Sequence, residues 1–129
     1  MTRKTLLLLA LSSLVSLAFS FATQSGDESK TRRIPQFEND HVNVWKSIIV
    51  PNQPLSIHRH EHPRAVIALK GGTLTFVTES GDTHDATWEK GKAYWLEADP
   101  FGEPYGEVNK GTEPLEVIVV EIKGTPKQE

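Results

Sequence analysis

The stretch Ser56–Arg64 (SIHRHEHPR) sets three of the chain's five histidines at every second position. In an extended strand that alternation puts His58, His60 and His62 on one face. Neutral imidazole suits zinc, copper, iron and nickel alike, so such a strip is a candidate site for a divalent transition metal. Geometry limits how many of the three can share one ion. On a regular strand His58 and His62 stand about 13 Å apart and His58 and His60 about 7 Å, against metal–nitrogen bonds of about 2.0–2.1 Å. The nearer pair can close on one ion, and a bend at Pro63 leaves a three-histidine site open. Arg64 follows directly, and a guanidinium beside imidazoles can clamp a carboxylate or phosphate through its planar fork. The same few residues therefore support metal coordination or metal-free capture of a small anion.

The segments that must hold this strip read as strands. Val42–Val50 alternates and is rich in β-branched residues, and Pro51-Asn52-Gln53-Pro54 turns the chain into the histidines. Beyond Pro63 come a short apolar run, Ala65–Leu69, an alternating run, Thr73–Thr78, and a hairpin turn at Glu79–Asp82. His84–Trp88, Ala93–Leu96, an irregular Pro/Gly-bearing loop over 97–106 and a long apolar strand, Leu115–Lys123, follow. Strand signals recur about every 8–12 residues without helical periodicity, which predicts an all-β sandwich or small barrel. His41 and His84 stand alone and are expected in solvent or in satisfied core positions. Trp45, Trp88, Tyr94 and Trp95 are expected to pack, with stacking on a ligand or contact with a second subunit as their functional alternative.

The ends of the chain have a different character. Arg3 and Lys4 precede 17 residues, Leu6–Ala22, that are apolar apart from four serines and close on Ser20-Phe21-Ala22. This is the pattern of a cleaved signal peptide, residues 1–22, and the run falls short of the roughly 20 apolar residues that span a bilayer. The expected location is periplasmic or secreted, with no membrane association after cleavage. Residues 23–33 read as a flexible leader, 34–124 as one domain and 125–129 as a polar tail. The chain has no cysteine, so neither a lipid anchor on cysteine nor a disulfide is available. Loss of residues 1–22 removes two of the 14 basic residues and none of the 17 acidic ones, leaving a net charge of −5. A nucleic-acid partner is thereby excluded.

The histidine strip and its surroundings resemble the cupins, small double-stranded β-helix (jelly-roll) proteins, over Val42–Lys123. In the first cupin motif His58 and His60 match the His-x-His pair, Gly71 fits the closing glycine, Asn52 stands for the first glycine and Arg64 for the glutamate. In the second, Gly91 and Asn109 match the ends, Glu97 and Asp99 replace Pro and Gly, the intervening loop is three residues longer, and Tyr105 stands where the family has a histidine. The resemblance implies an all-β cupin barrel and one divalent metal held by three histidines and a glutamate, of which two ligands remain here. An inward Arg64 would oppose such an ion by roughly 8 kcal/mol at 4 Å and an effective dielectric of about 20. It must turn outward, be neutralised by Glu97, Glu103 or Glu107, or serve an anion.

The leading expectation is a divalent transition metal on His58 and His60, with His62 as a candidate third ligand. If the domain is catalytic, the resemblance implies metal-assisted oxidation or isomerisation of a small polar molecule, with Tyr105 or a loop glutamate carrying the proton. A metal-free binding module for a small anionic ligand, using Arg64, Tyr105 and the histidines, is the first alternative. A structural protein acting as a homodimer is the second.

Overall fold

The computed structural model describes residues 27–124; the proposed signal peptide and the tail 125–129 lie outside them. Nine strands form in chain order: β1 (Arg32–Glu38), β2 (Val42–Ile49), β3 (Leu55–His58), β4 (Arg64–Lys70), β5 (Gly72–Thr78), β6 (Thr83–Trp88), β7 (Ala93–Leu96), β8 (Tyr105–Asn109) and β9 (Leu115–Ile122). They pair antiparallel into a five-stranded sheet, β1-β2-β9-β4-β7, and a four-stranded sheet, β3-β8-β5-β6. No helix occurs among the described residues.

Alternation decides what each strand turns inward. On β4 the buried positions are Arg64, Val66 and Ala68, and on β8 Tyr105, Glu107 and Asn109 are buried together with Gly106. With Trp45, Ile49, Leu74, Phe76, Trp88, Leu115, Val117 and Val119 these strands build one core between the sheets. The long apolar β9 lies central in its sheet, between β2 and β4, as its composition predicts.

Three turn residues show why this sequence adopts this path. Asn52 holds φ at 59°, a left-handed conformation that asparagine tolerates and that its place at a motif glycine anticipates. Its amide donates to the Asn109 carbonyl at 2.9 Å. The Asn109 side chain donates to the carbonyls of Ile49 (2.9 Å) and Glu113 (2.7 Å) and accepts from the Gly111 amide (2.9 Å), so one buried amide ties three chain segments. Gly71 leaves no room for a side chain: a Cβ there would stand 2.5 Å from the Trp88 carbonyl oxygen.

Two expectations need correction. The leader was expected to run through Arg33, yet strand structure starts at Arg32, and β1 pairs with β2 from Arg32 opposite Ile48. Charge and Pro35 mask this strand in the sequence, because an edge strand needs no apolar alternation of its own. The histidine strip, expected as continuous strand, stops being one at His58. Residues 59 and 60 continue without strand pairing and the backbone bends at Glu61 and His62 before β4, so the strip is not one continuous strand.

Candidate functional site

The site is assembled where β3 and the bend after it cross the end of β8. His58 pairs with Tyr105 across β3 and β8. Its Nδ1 lies 2.6 Å from the Ser56 carbonyl, an acceptor, so Nδ1 carries the hydrogen and a neutral ring offers its lone pair at Nε2. That lone pair accepts from Arg33 Nη2 at 3.2 Å and faces His60 Nε2 at 2.8 Å, which donates to it in the tautomer that leaves His60 Nδ1 without a hydrogen. The rings of His58 and His60 meet edge to face, with centroids 4.6 Å apart. His60 is buried, stacked parallel to Trp45 (6.4 Å), and its Nδ1 sits 3.4 Å from Glu121 Oε2. Burial, reinforced by the positive charge of Arg64, His58 and Arg33, lowers the His60 pKa to about 3. The ring is therefore neutral in ordinary buffers, and its contact with Glu121 is not an ion pair, although the distance alone would admit one.

Beneath this pair lies a second layer. Arg64 is 2% exposed and donates to the Tyr105 hydroxyl and, at 3.5 Å, to the Glu97 carbonyl. Burial raises the Tyr105 pKa, so the phenol keeps its proton. Glu107 is buried alongside, and desolvation pushes its carboxyl up against the pull of His58, Arg64 and Arg33. A cavity of ≈ 20 Å³, about the size of one water molecule, is lined by Ser47, His60, Arg64 and Glu107 among others. Of the three acids expected to face Arg64, Glu107 is the buried one. Glu97 turns its carboxylate to Trp95 Nε1 (2.9 Å), and Glu103 binds the amide and hydroxyl of Ser80 (3.1 and 2.7 Å) at the β5–β6 hairpin.

Above the histidines the barrel opens into a pocket of ≈ 720 Å³. Trp45, Pro35 and Leu55 give it apolar wall, Arg33, Arg59 and the three strip histidines its basic groups, and Glu61 and Glu121 its acids. Arg33 stacks over Trp45, with its guanidinium carbon 5.0 Å from the ring centroid. His62 thus lies on the same pocket as His58 and His60, while Arg64 and Tyr105 belong to the layer below. Arg33, assigned to the leader, was not apparent from the sequence, and Glu107 was one of three acids between which it did not choose. The spacing Tyr105-x-Glu107-x-Asn109 carries the second signal, hidden by treating residues up to 106 as loop.

As the four-ligand metal centre that cupins hold, this set does not fit. Among the described residues no three His, Cys, Asp or Glu side chains are grouped to hold an ion. Where the remaining two ligands would stand, an arginine and a neutral phenol are hydrogen-bonded to each other.

Two antiparallel sheets closed around such a pocket define the cupin double-stranded β-helix. A cupin domain from Bordetella pertussis superposes with a TM-score of 0.65 at 20% identity, covering 74% of this chain and 95% of that one. An RmlC-like cupin family protein with a double-stranded β-helix fold from Methanocaldococcus jannaschii gives 0.57 at 17% identity, with 74% and 83% covered. In sequence, the chain is 32% identical over 88 residues to the beta-alanine degradation protein BauB of Pseudomonas aeruginosa, spanning 68% of this chain and 88% of that protein. The chain belongs to the family of BauB. No family model matches it.

Proposed function

We propose that this chain is an exported cupin that binds a small organic carboxylate in the open end of its barrel. The observation that carries the reading is the Arg33 guanidinium, 3.2 Å from His58 Nε2 on the floor of the pocket and backed by the Trp45 ring. An entering carboxylate accepts from the Arg33 guanidinium, which His58 holds in place by accepting from Nη2 at Nε2 while its own Nδ1–H is bonded to the Ser56 carbonyl. Glu121 and Glu61 on the same pocket can hold an amine, so an amino acid with separated charges suits it. The naming of BauB for beta-alanine degradation makes β-alanine the first compound to try. Export is supported by the basic start and short apolar run that end at Ala22.

Titration calorimetry with β-alanine and propionate tests the reading. Loss of a charge-assisted hydrogen bond weakens binding by about 10- to 100-fold, so Arg33→Gln and His58→Gln should each lower affinity by that factor. Parent-like affinity in both variants would sink it.

One observation favours a second reading, a divalent metal on the two histidines. Their Nε2 atoms converge to 2.8 Å, near the spacing of adjacent ligands about one ion, and each Nδ1 faces an oxygen, from Ser56 and Glu121, that can orient a coordinated ring. The two readings differ in what removal of metal does. Stripping metal with a chelator abolishes coordination by the two imidazoles, whereas capture of a carboxylate by Arg33 survives it.

A further inference from the structure

The hydrogen-bond chain on the pocket floor runs in one direction and ends on two acceptors. The Ser56 carbonyl holds a hydrogen on His58 Nδ1, so His58 Nε2 accepts. His60 Nε2, 2.8 Å from it, carries the hydrogen between them, since two lone pairs would otherwise face each other. The buried, neutral His60 ring then has a bare lone pair at Nδ1. That lone pair faces Glu121 Oε2 at 3.4 Å, acceptor against acceptor. Among the described residues no lysine or arginine pairs with Glu121. Lys123 is bonded to Glu38 at 2.6 Å, and Arg64, opposite Glu121 across β4 and β9, turns to Tyr105 and the Glu97 carbonyl. His60 and Glu121 both line the open pocket.

From this arrangement we infer that His60 Nδ1 and Glu121 form a subsite for a primary ammonium group, and that the pocket takes a short amino acid bound at Arg33 by one end and at Glu121 by the other. The Arg33 end rests on the carboxylate reading above; the ammonium subsite stands on the tautomer chain. A primary ammonium brings three N–H donors and a positive charge, which satisfies both acceptors and neutralises the carboxylate. The fold holds the two ends apart. On β2, Ser47 stands opposite Arg33 and Asn43 opposite Glu121, about 13 Å along the strand. Through side chains the gap is narrower. From Arg33 Nη2 by way of His58 and His60 to Glu121 Oε2 the contacts measure 3.2, 2.8 and 3.4 Å, so with the width of the His60 ring the ends lie no more than about 12 Å apart. Hydrogen bonds of about 2.8 Å at each end leave the ligand about 6 Å between its carboxylate oxygen and its nitrogen. With bonds of about 1.5 Å, a chain of two or three methylenes spans that distance, and an extended chain of five overshoots it.

Titration calorimetry of the purified chain with matched ligands reads the subsite as the affinity that an amine adds to a plain carboxylate. β-Alanine over propionate and 4-aminobutyrate over butyrate should each gain about tenfold or more, and 6-aminohexanoate over hexanoate should gain nothing. Trimethylated β-alanine, charged but without an N–H, should lose most of the gain, and Glu121→Gln should erase it. The inference is overturned by β-alanine binding no tighter than propionate, the result if only water bridges the two acceptors. An equal gain for the trimethylated compound or for 6-aminohexanoate, or a gain lost in Glu61→Gln but kept in Glu121→Gln, overturns it as well. The carboxylate reading stands or falls separately, on whether propionate binds. Nitrogen NMR of the imidazoles in the ligand-free chain checks the tautomer: His60 should carry its hydrogen at Nε2, and a hydrogen at Nδ1 would overturn the subsite.

Discussion

His58 and His60 show how two chemically identical side chains acquire different roles from their surroundings. Ser56 fixes the His58 tautomer, and desolvation fixes the charge state of His60. Because the folded state holds the His60 pKa near 3, below the unfolded value of 6.5, its contribution to stability is complete above pH 6.5 and is lost as pH falls toward 3. The expected loss is roughly 2–4 kcal/mol across that window after allowance for solvent reaching the ring. His60→Gln should flatten this limb of the stability–pH curve, measured by urea unfolding between pH 7 and pH 4. Arg64 carries a second prediction. Its removal takes the buried donor from the Tyr105 hydroxyl and a positive charge from beside the buried Glu107, so Arg64→Gln should destabilise the fold by about 3 kcal/mol in urea unfolding. At this scale the sequence was only partly legible. The His-x-His spacing anticipates two rings that lie together, and counting back from Asn109 reaches Tyr105, which packs against them, but nothing near Arg33 in the chain announces a partner 25 residues away.

At the scale of elements, the phase of each strand does the positioning. Arg64 enters the barrel because it shares a face with Val66 and Ala68, and the apolar Ala65–Leu69 run conceals that phase since both its faces are apolar. β1 was hidden for the opposite reason: an edge strand exposed on most of its length has polar composition and reads as a tail. The hairpin at Thr78–Thr83 and the turn at Asn52 were legible because turn chemistry is local. Gly71 marks where strand packing tolerates no side chain. Gly71→Ala should cost about 1–3 kcal/mol, read as a lowered urea midpoint at unchanged slope, because the obstructing atom is a backbone oxygen.

For the whole molecule, the fold and the pocket separate two tasks. The core between the sheets supports a cupin barrel without disulfides, and the open end gathers Arg33, His58, His60 and Glu121 on apolar walls. The cupin architecture was legible from strand spacing and motif ends, whereas the balance between a metal and an anion depends on which side of the barrel wall two arginines fall, a tertiary fact. The most direct test is calorimetric titration of the demetallated chain with β-alanine, with zinc titrated in parallel. The predicted result is saturable β-alanine binding that weakens about 10- to 100-fold in Arg33→Gln. Absence of β-alanine and propionate binding, with stoichiometric zinc binding, would contradict it.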